Sequence, residues 1–378
     1  MRYPLSEEHL LIQQTAREFA ERYVKPEASA VDRAGAHPQE LVRRMAEHDF
    51  LGLPFPQECG GAEAGFLSFV LAIEQIARAS ASVAAIPVNH FIASYTLYRW
   101  GSAEVKEQLL PVLCRGEKLG AFAFYEPGAA PGSGDRRLVA TRTPAGYVLN
   151  GTKYFVPNGG VADLYVVVAQ TDPERGQAGF SAFVLDGNTP GMRIARRVET
   201  MGLNGCQVAE IVFEGVEVSA GRLVGPENGA ASMIREMLAM RRIAGGAMVA
   251  GIMDAALEES VKYAGQRVQF GRPIGRFPAI RKMIADMAAN LNLLRLAVYS
   301  TADLVDKGEP FEAEAAMVHM FAGRTGQAAC IDAIQIHGGY GYSQELPVER
   351  FFRDVKGALV YDSIMEQPEQ VVAGGLMG

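Results

Sequence analysis

No block of lysine and arginine interrupts this chain of 378 residues, and its formal net charge is −7. Nucleic acid is therefore excluded as a main partner, because neutralising phosphates needs a basic face. The four cysteines, Cys59, Cys114, Cys206 and Cys330, stand far apart and form no CxxC pair. They exclude a disulfide framework and a zinc site and read as reduced thiols. The six histidines are scattered without metal-ligand spacing, so no metal is expected. No charge-free apolar run approaches the ~20 residues of a membrane span. The opening stretch MRYPLSEEHLLIQQ carries acids where a signal peptide is apolar. A cytoplasmic enzyme is expected.

Common catalytic signatures are missing too. No G-x-G-x-x-G follows a strand pattern and no G-x-x-x-x-G-K is present, which argues against a Rossmann dinucleotide site and a P-loop. G-x-S-x-G and H-E-x-x-H are also absent.

What is present is 49% hydrophobic content and an ordinary 21% of charged residues, enough for two or three domains. Residues 5 to about 115 carry a helical pattern. Ser6 is the expected N-cap, with Glu7 and Glu8 in the first turn. Ile12, Ala16, Phe19, Ala20 and Tyr23 recur at helical spacing, and Pro26 is expected to end that helix. Near Leu119 the texture changes to short β-branched and aromatic runs. Pro144-Ala145-Gly146 and Asn150-Gly151 are expected to be turns between them. Helical texture returns near Gly229 in three long segments, about 230–265, 277–307 and 310–337. Lys307-Gly308 and His337-Gly338-Gly339 supply stop signals. The expected architecture is α+β: an N-terminal helical domain (1–118), a central antiparallel β-barrel-like domain (119–226) and a C-terminal four-helix bundle (227–378).

Several stretches stand in order along the chain. Glu126-Pro127-Gly128 and Asn150-Gly151-Thr152-Lys153-Tyr154-Phe155 lie in the β-domain. RVQFGRPIGRF runs from Arg267 to Phe277, with Ala285-Asp286-Met287 after it. QIHGGYGY runs from Gln335 to Tyr342, and Pro347-Val348-Glu349-Arg350 leads to Arg353-Asp354. Together they resemble the acyl-CoA dehydrogenase family over essentially the whole chain.

The resemblance implies a flavoprotein with FAD between the β-domain and the C-terminal bundle, its adenine end reaching a neighbouring subunit. A homotetramer is then expected, or a hetero-oligomer. Arg267 offers a forked donor for the pyrophosphate. Phe270 packs beside the cofactor, Gln335 donates an amide, and Gly338 and Gly339 let backbone N–H groups approach phosphate oxygens. Tyr125, Phe155, Pro157 and Asn158 fall at the isoalloxazine. As isolated residues, Arg267 reads equally as a helix-end residue and the glycine pair as a plain terminator.

The family's reaction is α,β-dehydrogenation of an acyl thioester, on CoA or a carrier protein. A carboxylate takes the α-proton while the β-hydride passes to the flavin. An electron-transferring flavoprotein is the family's usual acceptor. The base often sits in a Tyr-Glu-Gly-Thr loop; here Tyr361-Asp362-Ser363-Ile364 occupies it. Asp362 is the expected base, one methylene short, with Tyr361 beside it; the lesser reading is a plain N-cap of the last helix. Relatives that place the base on an earlier helix, just before an arginine, have Arg241 here, followed by Arg242. Glu366 is a weaker candidate. Arg242 is expected to orient the thioester, Ser133 to meet the pantetheine arm or the flavin, and His90 to line the acyl pocket or be a buried structural histidine.

Departures gather at the reacting centre. Tyr125 replaces the threonine of a common Thr-Glu-Pro, and Pro157 the threonine of Trp-Ile-Thr-Asn, removing a hydroxyl and an N–H. Two alternatives stay open: a flavin oxidase or modified enzyme using Asp362 on a small acid, and a non-catalytic or FAD-poor subunit.

Overall fold

The computed structural model describes residues 3–126, 138–360 and 367–377. Six helices come first: α1 (Glu7–Phe19), α2 (Lys25–Ala34), α3 (Gln39–Glu47), α4 (Gly65–Ala79), α5 (Ala81–Trp100) and α6 (Ala103–Cys114). Ser6 caps α1 as expected, accepting from the His9 N–H. Pro26 does not end the helical run. A π-helical turn at Ala20–Val24 absorbs the register change, Pro26 sits in the first turn of α2, and the run stops at Gly35 with φ 55°. The π turn opens the hydrogen-bond ladder just ahead of Pro26, which lets the run pass a residue with no N–H to give.

The middle of the chain forms one eight-stranded sheet. Its strands are β1 (Gly120–Ala123), β2 (Val139–Thr143), β3 (Gly146–Pro157), β4 (Leu164–Gln170), β5 (Phe180–Asp186), β6 (Met192–Arg197), β7 (Val208–Ser219) and β8 (Leu223–Val224). The order is β6-β7-β3-β2-β4-β5-β8, with β1 also on β4. The sheet is mixed rather than purely antiparallel, since β1 and β2 both pair parallel with β4. Tyr147, Phe183, Leu149 and Val167 fill its separate core. Pro144-Ala145 is the expected hairpin turn, joining Thr143 to Gly146. Asn150-Gly151 is not a turn: β3 continues through it, with a register shift against β7. Gly151 takes φ 142° there and the Asn150 side chain accepts from the Gly215 N–H at 2.8 Å, so the pair makes a bulge.

The C-terminal part comprises α7 (Ala230–Gln266), a hairpin of β9 (Val268–Gln269) and β10 (Arg272–Pro273), then α8 (Pro278–Lys307), α9 (Glu312–His337), α10 (Val348–Val360) and α11 (Pro368–Met377). Helix α7, 37 residues long, is apolar on nearly all sides through its middle, as a helix surrounded by others must be. Its Gly251 faces the Glu74 backbone of α4, and Gly326 of α9 faces Val249; a Cβ at either would collide. Small residues thus set how closely α4 and α9 approach α7. Among the described residues no helix is long and apolar enough to cross a membrane.

A polar clamp joins the three parts. Arg353 on α10 grips Asp32 of α2 at 2.6 Å, and Asn204 of the β6–β7 loop reaches the same carboxylate at 2.9 Å. Asp354 is buried and accepts from the Leu203 N–H at 2.7 Å. This fixes α10, whose end leads into Tyr361 and Asp362.

Candidate active site

Two of the clefts lined by α7 gather residues singled out in the sequence, one toward each end of the helix. The first is narrow and aromatic, with a volume of 40 Å³, lined by Ile92, Phe122, Phe124, Tyr125, Phe155, Pro157, Ile234, Met237, Leu238 and Arg241. It forms where β1 and β3 meet α5 and the first half of α7. Tyr125, Phe155 and Pro157 therefore line one cleft. Phe155 adopts φ 48°, which turns the strand and brings its ring to 6.2 Å from that of Tyr125.

Beneath this wall lies a buried ion pair. Lys153 Nζ donates to Glu126 Oε1 at 2.6 Å and to the Phe124 carbonyl at 2.9 Å. Glu126 also accepts from the Leu138 N–H at 2.8 Å. Burial pushes the Lys153 pKa down and the Glu126 carboxylate pulls it back. The pair fixes the backbone on both sides of Tyr125. Both residues stand in the quoted motifs, but nothing in their spacing announces that they meet.

Asn158, with φ 57°, does not line the cleft. Its amide donates to the Ile86 and Gly120 carbonyls at 3.1 and 3.2 Å, tying the end of β3 to α5 and β1. His90 lines neither cleft. It is fully buried, accepts from the Gly120 N–H at 3.0 Å, and faces the Leu113 carbonyl at 3.2 Å. Burial pushes its pKa down to about 4, so it is a neutral structural pin. Arg242 is 1% exposed, on α7 next to the cleft residue Arg241.

The second cleft, 500 Å³ and open, lies at the far end of α7. Arg267, Gln269, Tyr263, His337, Gly338 and Gly339 are among its lining residues. A Cβ on Gly338 or Gly339 would meet nothing within 4 Å, so the turn presents open space. Gly338, at φ 58°, donates its own N–H to the Gln335 carbonyl, closing α9. The Gln335 side chain is exposed and outside this lining. Phe270, 92% exposed at φ 50°, stands at the tip of the β9–β10 hairpin, edge-on to Phe277 at 6.2 Å.

Ser133, Tyr361, Asp362 and Glu366 lie outside the described residues. Among those described, no group of three or more His, Cys, Asp or Glu can hold a metal ion. The residues present fit FAD. An aromatic wall suits a flat ring, and an exposed arginine beside an unobstructed glycine turn suits a pyrophosphate.

Family models agree with this layout: the acyl-CoA dehydrogenase N-terminal domain matches residues 6–117, the middle domain 121–216 and the C-terminal domain 227–362. The chain belongs to the acyl-CoA dehydrogenase family. It is 37% identical to an acyl-CoA dehydrogenase of Bacillus subtilis, covering 99% of each chain. It is 35% identical to the caffeyl-CoA reductase–Etf complex subunit CarC of Acetobacterium woodii, over 98% of this chain and 99% of the relative. Its fold matches the butyryl-CoA dehydrogenase structure from Megasphaera elsdenii at a TM-score of 0.96 and 34% identity, covering both chains fully. The protein is an FAD-dependent oxidoreductase of the acyl-thioester dehydrogenase class, acting on a CH–CH group.

Proposed function

We propose that the aromatic cleft is where an acyl thioester, on CoA or a carrier protein, loses its α-proton to Asp362. The observation that carries this reading is the joining of Tyr125, Phe155 and Pro157 with α7 in one cleft, while α10, fixed by Arg353 and Asp354, leads into Asp362. FAD, when bound, supplies the acceptor for the β-hydride. The carboxylate of Asp362 takes the proton, Tyr361 flanks it, and Arg242 holds the thioester end of the site. Ser133 is assigned to the pantetheine arm. The glycine turn and Arg267 hold the cofactor's phosphates, with Phe270 and Gln335 on the neighbouring surface.

The assembly is a homotetramer, or a mixed oligomer with a paralogous chain, that shares its cofactors. Arg241 and Tyr263, which line different clefts, stand six turns apart on α7. That is about 33 Å at the ordinary helical rise, beyond the reach of one FAD. Each cofactor would then use the aromatic cleft of one subunit and the arginine–glycine cleft of another. An electron-transferring flavoprotein is the proposed acceptor, in keeping with the Etf complex named for the CarC relative. The cytoplasm is the proposed compartment.

The test is anaerobic mixing of the purified holoenzyme with a panel of acyl thioesters. Bleaching of a near-stoichiometric flavin spectrum supports the reading, and a protein that takes up no FAD overturns it.

A further inference from the structure

Arg241 is the one charged side chain among the described residues that line the aromatic cleft. Its companions are aromatic or aliphatic, apart from the Tyr125 hydroxyl. Ile92 and Met237 are 2% exposed, and Arg241 itself is half-buried. A guanidinium in such a wall acts through a lower effective dielectric than at the surface, so it attracts an anion more strongly there. Its charge is felt inside the protein. Burial pushes the Cys206 thiol up to about 11, and Arg241 works in the opposite direction.

Resting on the reading of this cleft as the acyl site, we infer that its substrate is an acyl group ending in an anion, most simply a short carboxylated chain. A carboxylate accepts charge-assisted hydrogen bonds from the guanidinium, in the bidentate geometry that arginine favours. A methyl-terminated chain of the same length would desolvate the guanidinium and return nothing to it. Discrimination then has two sources, attraction of the acid and rejection of the neutral chain. Arg241 does have interactions within the folded chain. Its five donors allow it to keep them and still receive a substrate oxygen.

The test compares matched pairs on the FAD-loaded enzyme: succinyl-CoA against butyryl-CoA, and glutaryl-CoA against pentanoyl-CoA. Binding is read by calorimetry under anaerobic conditions, and flavin bleaching by rapid mixing. The wild type is expected to favour the carboxylated member of at least one pair by about tenfold or more in Kd. Arg241→Gln should erase that preference, and Arg241→Lys should keep part of it. Equal flavin content in the three proteins controls for folding. A wild type that favours the neutral member of both pairs overturns the inference. So does an Arg241→Gln change that weakens both members equally, because Arg241 then serves the chain's own groups. If no thioester binds or bleaches the flavin, the assignment of the cleft itself fails, and the inference falls with it.

Discussion

The cleft near Arg267 is made by one hairpin and one glycine turn, close in space because α7 and α9 end side by side. The cleft near Tyr125 draws on α5, the strand β1 and its continuation, β3 and α7. The first is open and exposes a backbone turn beside Arg267 and Glu345; the second is narrow, aromatic and shaped by side chains. A backbone cradle recognises what every member of a cofactor class shares, a phosphate. A wall of side chains recognises what differs between substrates.

The comparison breaks most sharply at Asp362. Asp362→Asn should slow flavin bleaching by about 10² to 10⁴, the usual contribution of a general base, with bound flavin unchanged. Rapid mixing with substrate measures it, and a wild-type rate would return Asp362 to the role of a helix cap. Asp362→Glu sharpens the distance question, slowing the reaction if a closer substrate already compensates for the shorter side chain.

Next in size is the ion pair under the aromatic wall. Lys153→Met leaves Glu126 buried without its cation and should cost about 3–5 kcal/mol in denaturant unfolding. The same variant should disturb substrate binding at the aromatic cleft and leave the arginine–glycine cleft intact. FAD affinity should fall with it, because the same wall is assigned to the flavin ring; unchanged FAD and substrate affinity would show that the pair does not hold the wall.

The pH response of the clamp follows from Asp354. Burial raises its carboxyl from 3.8 to about 6. Between those values the folded chain holds a proton that the unfolded chain has released. Stability should therefore fall, by up to about 3 kcal/mol, as pH rises from about 4 to about 6, then level off. Melting curves of the wild type against Asp354→Asn measure this, since the amide still accepts from Leu203 and removes that slope. The smallest expected effect is at the arginine–glycine cleft. Arg267→Ala should weaken FAD binding by about 1.5–3 kcal/mol, seen as lower flavin content on purification. Turnover should return with excess FAD, and full occupancy of the variant would reassign the arginine.

Much of the fold is legible because its cues are local. The Ser6 cap, the stop at Gly308 and the three long C-terminal helices all follow from neighbours in sequence. Pro26 misleads because a π-helical turn upstream resets the register, and propensity at one residue carries no trace of that. Asn150-Gly151 has the chemistry of a turn, yet cross-strand pairing with β7 holds it straight and leaves a bulge. The parallel pairing of β1 and β2 with β4 is a long-range choice that strand patterns do not encode. The arginine–glycine cleft was readable from motifs. The aromatic cleft was readable only in part: Phe122, Ile234 and Met237 look like any core residues until the tertiary structure brings them together. His90 shows the converse, a residue of catalytic type used as a buried pin.

The length of α7 has a genetic consequence. Under the shared-cofactor arrangement proposed here, an Arg267→Ala chain and an Asp362→Asn chain damage different halves of each site. In an assembly of the two, some sites would combine the intact arginine of one chain with the intact aspartate of the other. Two impaired proteins, refolded together or expressed in one cell and assayed without added FAD, should then yield more activity than either has alone. A helix long enough to keep the two clefts apart thus makes the pair of subunits, rather than the single chain, the unit on which mutations act.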